Sequence, residues 1–252
     1  ECRRTSRCPR RFAAAIRRAR LGCEPMINRL HAKFHRTDQG WDPVPPAHAA
    51  RYGAGEWDCI DHGLLDDLSE RIGGFAGKSV LDLGGGPGQY AVALAQRGAR
   101  VTWHDVSRTY MDMSKHKAEA LGLTDRIRFS LGYLDEAPQL LGESFDLVFN
   151  RICWYYGFGD RSFAAVIYGL VKPGGFGYID TTHSGYQREQ LSTSARLRTW
   201  LNDRSAIKIG HPYPPRGRLA RLFLRHDLER LSVDYSTPTN DRILFRKALS
   251  RQ

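Results

Sequence analysis

The 252-residue sequence predicts an α/β domain with a doubly wound, mostly parallel sheet of seven strands that ends in an antiparallel C-terminal strand pair. Three observations support this fold. Short apolar segments alternate with helical segments between residues 80 and 180, which is typical of a parallel sheet covered by helices on both faces. A glycine-rich turn follows the first apolar segment. Two further strand-like segments end the chain.

The predicted elements follow one another in a regular order. A short helix followed by a Pro-rich connector is predicted within residues 26–58. The next helix, 58–72, has apolar residues at helical spacing and ends at Gly73 and Gly74. Further helices are predicted at 89–97, 108–121 and 160–171. The five strands of the parallel part are predicted at 80–83, 100–104, 127–131, 145–149 and 176–180. The closing strand pair is predicted at about 229–236 and 241–248.

Composition and charge exclude several classes of protein. No apolar run approaches the roughly 18 residues of a membrane span. The five cysteines form no C-x-x-C pair, so neither a disulfide scaffold nor a metal site is predicted, and a reducing, cytoplasmic location is expected. Residues 1–25 carry eight Arg and two Glu, which is more than half of the net charge of +11. The rest is only mildly basic, which weakens the case for a nucleic-acid partner.

Residues 1–25 form a basic leader that we expect to be disordered or non-native. The segment imitates an organellar presequence in being rich in Arg and poor in acids, and a basic arm of this kind also suits an acidic partner. Met26 is a plausible start of the protein. No function is assigned to the leader.

The glycine-rich turn, residues 84–88, joins the first strand to a helix, which is the arrangement that holds an anionic or polar cofactor group. Asp105 lies 23 residues after Asp82, at the end of the second strand, where a carboxylate can accept both hydroxyls of a ribose. Together these features indicate a cofactor that contains adenosine. The dinucleotide fingerprint G-x-G-x-x-G fails, because Gln89 or Pro87 stands where glycine is needed. A nicotinamide oxidoreductase is therefore a distant alternative.

Four stretches of the chain resemble class I S-adenosylmethionine-dependent methyltransferases, which have a Rossmann-like fold. They are VLDLGGGPGQYAVALAQRG at 80–98, VTWHDVS at 101–107, SFDLVFNR at 144–151 and LVKPGGFGYIDTTH at 170–183. The resemblance covers about 40% of the chain, in the order usual for the family. It implies a methyltransferase domain at 76–252, a helical lid at 26–75 and a substrate-facing insertion at about 184–226. Within the insertion we predict a helix at 186–204, an irregular loop at 205–217 and a basic helix at 218–226.

The resemblance implies S-adenosylmethionine as cofactor. The family's loop pattern D/E-x-G-x-G-x-G fits Asp82, Gly84, Gly86 and Gly88. The family often has Gly-Asp after strand three for the adenine amine, but here Tyr133 follows Gly132, so that role falls to Asp135 or a backbone group. The predicted cofactor-binding residues are Asp82, Gly84, Gly85, Gly86, Gly88, Asp105, Val106, Leu134 and Asn150.

The acceptor side is less well defined by the sequence. His183 follows strand five at the active-site edge and is the predicted general base, with a solvent-facing loop histidine as the alternative. His211 and Tyr155 are predicted to bind the substrate, whereas His104 is expected to be structural. Trp154 and Tyr156, beside Tyr155, are candidates for the acceptor pocket or for core packing. Tyr52 and Trp57 are candidates to cover the cofactor or to pack in the core.

The predicted reaction is methyl transfer to a small molecule, with oxygen slightly favoured over nitrogen because of His183. A first alternative is an RNA or protein methyltransferase, which the basic residues Arg216, Arg218, Arg221 and Arg225 would favour. A second alternative is a non-catalytic, cofactor-binding partner subunit. The Asp/Asn-Pro-Pro-Tyr motif of DNA amino-methylating enzymes is missing, since Arg151, Ile152 and Cys153 follow Asn150. The sequence leaves the oligomeric state open.

Overall fold

A computed structural model describes residues 26–185, 192–204, 208 and 210–249 of the chain. The predicted leader at 1–25 and the start of the predicted 186–204 helix lie outside the described residues. A seven-stranded sheet is present, in the order β3-β2-β1-β4-β5-β7-β6. Its strands are β1 (Ser79–Leu83), β2 (Arg100–Asp105), β3 (Ile127–Leu131), β4 (Phe145–Arg151), β5 (Val171–Thr182), β6 (Leu228–Asp234) and β7 (Asn240–Lys247).

Nine α-helices occur in the described part of the chain, and several short 3-10 turns connect the elements. The helices are α1 (Met26–Phe34), α2 (Pro46–Asp58), α3 (His62–Ile72), α4 (Gln89–Gln96), α5 (Arg108–Ala120), α6 (Ala137–Leu141), α7 (Asp160–Leu170), α8 (Thr193–Arg204) and α9 (Arg218–Phe223).

The sheet matches the predicted fold class. Strands β1 to β5 pair in parallel, and β7 pairs antiparallel with both β5 and β6. Side chains alternate between the two faces of β1, so Val80 joins the apolar core beneath α3 to α5 while Leu81 joins the core beneath α7 and α9. Because both faces are covered, the carboxyl ends of β1, β2, β4 and β5 provide the edge where polar side chains can meet a ligand.

Helix α2 was not predicted from the sequence. Pro46 is its first residue, where a missing N–H costs nothing, but Gly53 and Gly55 lower its intrinsic helix propensity. The packing explains why glycine stands at 53, since a Cβ at this position would meet the Met113 side chain of α5. Packing against α5 therefore stabilises a helix that the local sequence favours only weakly.

Strand β5 is longer than predicted. The Lys-Pro-Gly-Gly turn was expected to end the preceding helix, with the strand starting at Phe176. Instead the strand begins at Val171, which pairs with Phe145, and the register then shifts before Leu147 pairs with Phe176. Gly174, with φ of 75°, lies in this irregular segment. The turn is thus accommodated as a bulge inside the strand.

The helices of the described segments are all too short or too polar to span a lipid bilayer.

Candidate active site

The glycine loop between β1 and α4 adopts a backbone that favours glycine. Gly84, Gly86 and Gly88 have φ angles of 83°, 49° and 88°. The N–H of Gly84 donates to the carbonyl oxygen of His104 over 2.8 Å, which anchors the loop to β2. The loop therefore places α4's free N–H groups at the carboxyl edge of the sheet, where they can face a ligand.

Two of the loop glycines leave space for side chains that lie against them. A Cβ at Gly84 would meet the sulfur of Cys153, and a Cβ at Gly85 would meet the indole ring of Trp103. The Trp103 Nε1–H also donates to the Gly86 carbonyl over 3.1 Å. Gly85, predicted as a cofactor contact, thus has a packing role against the buried Trp103 that the sequence alone did not indicate.

Asp105 lies directly beside this loop, at the end of β2. Its Oδ2 accepts a hydrogen bond from the Gly86 N–H over 3.0 Å, and its Oδ1 accepts one from the Ser107 N–H over 3.0 Å. Burial raises the pKa of the Asp105 carboxyl, while these N–H groups oppose that rise. The following residue, Val106, is half-buried. The carboxylate is thus oriented at the loop and retains lone pairs for a ribose.

Asp82 is buried at the end of β1, and its Oδ2 has no hydrogen-bond partner among the described residues. Burial, with the charge of Asp105 next, raises the pKa of Asp82 to about 7. Leu134 is buried, and its Cδ2 lies 3.6 Å from the position that a Cβ at Gly84 would take. A buried acid with an unpaired oxygen is the kind of group for which a polar ligand supplies the missing partner.

Asn150, at the end of β4, links the two central strands. Its side-chain amide donates to the Leu83 carbonyl over 2.9 Å and to the Cys153 sulfur over 2.9 Å. Its Oδ1 is buried and has no partner among the described atoms. The chain then turns sharply at Ile152, whose φ of 57° is unusual for a β-branched residue. This turn brings Cys153 under the glycine loop.

The region after β3 departs from the family pattern. The Tyr133 hydroxyl donates to the His35 carbonyl over 2.8 Å, and its ring stacks on Trp41 at a centroid distance of 6.0 Å. Asp135 accepts a hydrogen bond from the Phe158 N–H over 2.8 Å, while its Oδ1 is buried without a partner in the described part of the chain. Burial raises the pKa of Asp135 to about 6. The residue that meets an adenine amine therefore remains a prediction.

Aromatic residues after β4 and in the 210–217 loop lie together, and the substrate-binding role predicted for Tyr155 and His211 stays a prediction. The Tyr155 ring is 4.6 Å from Tyr156 and 4.9 Å from Tyr213, and the His211 ring is 4.9 Å from Tyr156. Tyr213 and the role of the loop as a partner for Tyr155 were missed, because a contact between residues 58 positions apart has no local signal. We call Tyr155, Tyr156, His211 and Tyr213 the aromatic cluster.

Trp154 does not belong to the aromatic cluster. Its indole ring is fully buried against Phe163 and Phe223, and its Nε1–H donates to Asp160 over 3.1 Å. Of the two interpretations of Trp154 open from sequence, core packing is the one that the structure shows.

The two histidines differ in which ring nitrogen is available. His211 Nδ1 is 3.4 Å from the Tyr155 carbonyl oxygen, so it carries the proton and leaves a lone pair on Nε2. Partial burial lowers the pKa of His211. In His183, which is only 4% exposed, Nδ1 accepts the Gly185 N–H over 3.1 Å, so the neutral ring carries its proton on Nε2.

His183 and Asp241 are neighbours on one face of the β5–β7 pair. Thr181 pairs with Asp241, and the His183 N–H donates to the Thr239 carbonyl over 3.0 Å, so the two side chains are diagonal neighbours. His183 Nε2 and Asp241 Oδ1 are both buried without a hydrogen-bond partner among the described residues. Burial raises the pKa of Asp241, and the proximity of His183 opposes this rise.

Helix α2 covers the site from the N-terminal side. Glu56 accepts a hydrogen bond from the Gln89 side chain over 2.9 Å, and the Tyr52 ring is 6.1 Å from Tyr110. Trp57 instead packs toward α5, with the ammonium group of Lys117 5.1 Å from its ring centroid. Tyr52 thus packs beside Tyr110 of α5, whereas Trp57 belongs to the packing of α2, and the lid role of residues 26–75 stays a prediction.

The arrangement fits an adenosine cofactor with a charged amino-acid end. Asp105 is held at the loop, and Asp82 Oδ2 and Asn150 Oδ1 are buried oxygens without partners in the described structure. All of these groups lie at the carboxyl edge of β1, β2 and β4, beside the N-terminus of α4. Fold and site together define an α/β domain that binds a nucleotide-like cofactor at its sheet edge.

Comparison with known proteins shows that the chain is similar to methyltransferases. Residues 80–175 match the family model for a methyltransferase domain. A tRNA 5-carboxymethoxyuridine methyltransferase from Escherichia coli (strain K12) is 32% identical over 119 residues, covering 47% of this chain and 43% of that protein. A ubiquinone biosynthesis O-methyltransferase from Acinetobacter baylyi is 30% identical over 117 residues, covering 46% and 49%. The chain thus matches less than half the length of these relatives.

Solved structures agree with the fold. An O-methyltransferase family protein from Burkholderia thailandensis superposes with a TM-score of 0.57 and 23% identity, covering 82% of this chain and 62% of that one. A SAM-dependent methyltransferase from Aquifex aeolicus gives a TM-score of 0.57 at 14% identity, covering 81% and 98%. Residues 80–175 are thus similar to a methyltransferase domain, and the fold is that of solved structures of S-adenosylmethionine-dependent methyltransferases.

Proposed function

We propose that the protein transfers a methyl group from S-adenosylmethionine to an oxygen atom of a small molecule. The observation that carries this proposal is the Asp105 carboxylate, fixed by the Gly86 and Ser107 N–H groups at the mouth of the glycine loop. In the proposal, Asp105 holds the ribose, the loop glycines with Asp82 and Asn150 hold the amino-acid end, and Val106 and Leu134 line the adenosine.

Positioning supplies most of the catalysis in this proposal. When bound, the cofactor supplies an electrophilic methyl group on a sulfonium. The chain's task is to hold the acceptor in line with that group, which contributes up to about 7–11 kcal/mol in well-oriented systems. Tyr155, Tyr156 and Tyr213 form the wall where an acceptor would lie, and their rings also suit a nearby positive charge.

The proton of an acceptor hydroxyl needs a base with a free lone pair. His211 meets this requirement, since its Nδ1–H is used at Tyr155 and its lowered pKa keeps the ring neutral near pH 7. The lone pair of His183 is occupied by the Gly185 N–H. We therefore propose His211 as the base. The catalytic role predicted for His183 stays a prediction, and it requires the Gly185 hydrogen bond to break first.

The RNA alternative is supported by the similarity to a tRNA methyltransferase, but the arginines on the surface support it less. The basic stretch around α9 was its main argument. In the structure Arg218 forms an ion pair with the half-buried Asp160, with 2.7 Å between Nε and Oδ2. Arg216 donates to the Tyr235 carbonyl over 2.7 Å and stacks on that ring. Arginines with partners inside the protein are less available to phosphates, which favours a small acceptor.

Calorimetric titration with S-adenosylmethionine, S-adenosylhomocysteine and NAD tests the cofactor part of the proposal. Micromolar binding of both sulfur ligands is expected. We expect Asp105→Asn to weaken it at least tenfold, because it loses a charged acceptor at the ribose. Asp125→Asn, an exposed acid in the turn before β3, is the matched control and should bind as the unaltered protein does. Binding of NAD alone would rule the proposal out.

An acceptor screen distinguishes an enzyme from a partner subunit. Purified protein with labelled S-adenosylmethionine is offered a small-molecule extract, tRNA and total protein in parallel. Label in the small-molecule fraction supports the proposal, and label confined to tRNA supports the RNA alternative. Cofactor binding without transfer to any pool would indicate a non-catalytic subunit. The expected cytoplasmic location remains a prediction.

A further inference from the structure

Three side chains converge on the backbone that directly follows the turn carrying the first half of the aromatic cluster. Lys208 Nζ donates to the Gly157 carbonyl over 2.9 Å, and Asp135 Oδ2 accepts the Phe158 N–H over 2.8 Å. These two backbone groups belong to a single peptide unit. Asn28 Nδ2 donates to the next carbonyl, that of Phe158, over 3.4 Å. We call Asn28, Asp135 and Lys208 the clamp.

The members of the clamp come from separate parts of the chain. Asn28 belongs to α1, Asp135 to the turn after β3, and Lys208 to the segment between α8 and α9. They lie 130, 23 and 51 positions away from the residues that they bind. The position of the clamped backbone therefore depends on the docking of three segments rather than on local structure.

Lys208 is fixed electrostatically. The residue is only 5% exposed, so its charge needs partners inside the protein. Its Nζ lies 3.3 Å from Asp160 Oδ1, and Asp160 also pairs with Arg218 over 2.7 Å. Burial raises the pKa of the Asp135 carboxyl, while the Phe158 N–H and the charge of Lys208 oppose that rise. The remaining charged groups that act on Asp135 are those of Arg29 and Glu136. Two acids thus hold the ammonium group in place.

The clamped backbone determines where two members of the aromatic cluster lie. The Gly157 N–H donates to the Trp154 carbonyl over 3.1 Å, which closes the 3-10 turn that carries Tyr155 and Tyr156. Gly157 is buried, and a Cβ at this position would meet the Phe163 ring of α7. The backbone is thus packed on one side and clamped on the other, so the turn before it has a defined position.

Asn28 also joins the two halves of the aromatic cluster. Its amide carries two N–H groups, and the Gly210 carbonyl lies 3.4 Å from the same Nδ2 that donates to Phe158. Gly210 directly precedes His211. One amide of α1 therefore connects the turn that carries Tyr155 with the loop that carries the proposed base.

We propose that the clamp positions the methyl acceptor, because Asn28, Asp135 and Lys208 hold the aromatic cluster in the arrangement that receives it. This inference rests on the proposed function, in which the aromatic cluster is the acceptor wall. The three side chains act through the backbone at 157, 158 and 210, so they are positioning residues. Displacement of such a wall by about 1 Å is enough to cost up to about 10²-fold in rate.

Asn28→Asp tests the connection between the two halves of the cluster. A carboxylate at this position cannot donate and would face two carbonyl oxygens. Amide hydrogen exchange at 155–158 and 211–213, measured by mass spectrometry, should become about tenfold faster, since two carbonyls lose their donor. Lys33→Gln, at an exposed position of α1, is the control and should exchange as the unaltered protein does. Unchanged exchange in Asn28→Asp would overturn the proposal.

The consequence for the acceptor is measured with labelled S-adenosylmethionine and the small-molecule extract as acceptor source. In Asn28→Asp the amount of extract that gives half-maximal transfer should rise about fivefold or more, because the acceptor wall is displaced. The affinity for S-adenosylhomocysteine should stay within about twofold, since the cofactor loop is not altered. A merely structural Asn28 would lower the free energy of unfolding without changing the half-saturating amount, and that result overturns the proposal.

Lys208→Met tests a second member of the clamp. The variant loses the ammonium donor but keeps a long side chain, and Asp160 retains its pair with Arg218. The same rise in half-saturating extract is expected, and an unchanged amount counts against the clamp. If Lys208→Met does not fold, Asn28→Asp decides, because the half-buried Asn28 carries no charge whose loss would strand a buried partner.

Asp135 needs a separate test because it is also a candidate for the adenine amine. Asp135→Asn keeps an oxygen for the Phe158 N–H and should transfer label much as the unaltered protein does, whereas Asp135→Ala should need more extract. Weaker binding of S-adenosylhomocysteine by Asp135→Ala, with no change in half-saturating extract, would assign Asp135 to the cofactor and overturn its place in the clamp. Absence of transfer by the unaltered protein would instead contradict the proposed function, whatever the exchange rates are.

Discussion

The backbone N–H of Gly185 donates a hydrogen bond to Nδ1 of His183 over 3.1 Å. A backbone N–H can only donate, so this contact determines that the neutral ring has its proton on Nε2. In His211 the polarity is the reverse, because Nδ1 donates to a carbonyl and Nε2 keeps its lone pair. His183, predicted from the sequence as the base, and His211, predicted to bind the substrate, therefore have opposite capacities to accept a proton.

The histidine assignment predicts unequal effects of mutation. His211→Gln should lower kcat for a hydroxyl acceptor by about 10²–10⁴-fold, the usual contribution of a general base. His183→Gln should lower it by less than about tenfold on the same scale. Steady-state kinetics measure both, and calorimetry with S-adenosylhomocysteine should show unchanged cofactor affinity. A larger loss in His183→Gln than in His211→Gln would restore His183 as the base.

A methyl group at position 85 should disturb the cofactor loop. In Gly85→Ala the new Cβ would meet the Trp103 indole, which is fully buried and cannot move without opening the core. We expect a loss of about 1–3 kcal/mol in unfolding free energy, as for other overpacked sites, together with weaker binding of S-adenosylhomocysteine. Gly55→Ala in α2 is the control, since its Cβ meets open space. Its effect should be neutral or stabilising.

The buried His104 predicts acid sensitivity. Its Nε2 donates to the Tyr133 carbonyl over 3.1 Å, and burial lowers its pKa to about 4. Between pH 6.5 and 4 the unfolded chain binds a proton that the folded chain rejects, so this group's stabilising contribution is lost as pH falls. The loss amounts to about 3 kcal/mol for a shift of this size.

Urea denaturation at pH 7 and pH 4.5 measures this effect. The fall in unfolding free energy between the two pH values should be smaller in His104→Gln than in the unaltered protein. His116→Gln replaces an exposed histidine and should show the full fall. An equal fall in all three proteins would mean that His104 protonates without cost.

The turn after β4 predicts that glycine is more stable than alanine at position 152, which is the reverse of their order in a helix. Ile152 has φ of 57°, and this region costs a residue with a Cβ about 1–2 kcal/mol. Ile152→Gly should therefore be more stable than Ile152→Ala by about 1 kcal/mol. At an ordinary helical position the order is the opposite, so Ala54→Gly in α2 should destabilise by about 1 kcal/mol. Urea unfolding of the three variants and the unaltered protein measures the differences. If Ile152→Ala is more stable than Ile152→Gly, the strain at position 152 is contradicted.

The fold was largely predictable because its signals are local. The apolar runs of β1 and β4 and the helices that follow β1 and β2 stand out in any window of ten residues. Helix α2 was missed because Gly53 argues against a helix unless the approach of Met113 is known. The helix is stabilised by packing against α5, and intrinsic helix propensity takes no account of such contacts.

The site was predictable to a lesser extent. Asp82, Asp105 and the loop glycines follow strands that the pattern already placed, so their convergence could be predicted, and the structure brings them together. The contact of Tyr155 with Tyr213 depends on a loop from the far end of the chain. The side-by-side placement of Arg151, Asp180 and Arg242 depends on the register of three strands. Neither register nor loop path is encoded in a short motif.

The sulfur of Cys153 fills the space that Gly84 leaves by having no side chain. The two positions belong to different parts of the site, one on the cofactor loop and one on the turn that leads to the aromatic cluster. The side-chain volumes that these two positions can hold are therefore coupled. A lineage that replaces Cys153 with a bulkier residue displaces the loop, and one that adds a side chain at 84 must first lose volume at 153. Substitutions in this turn that alter the acceptor preference are thus restricted, because the loop must keep the shape that holds the cofactor.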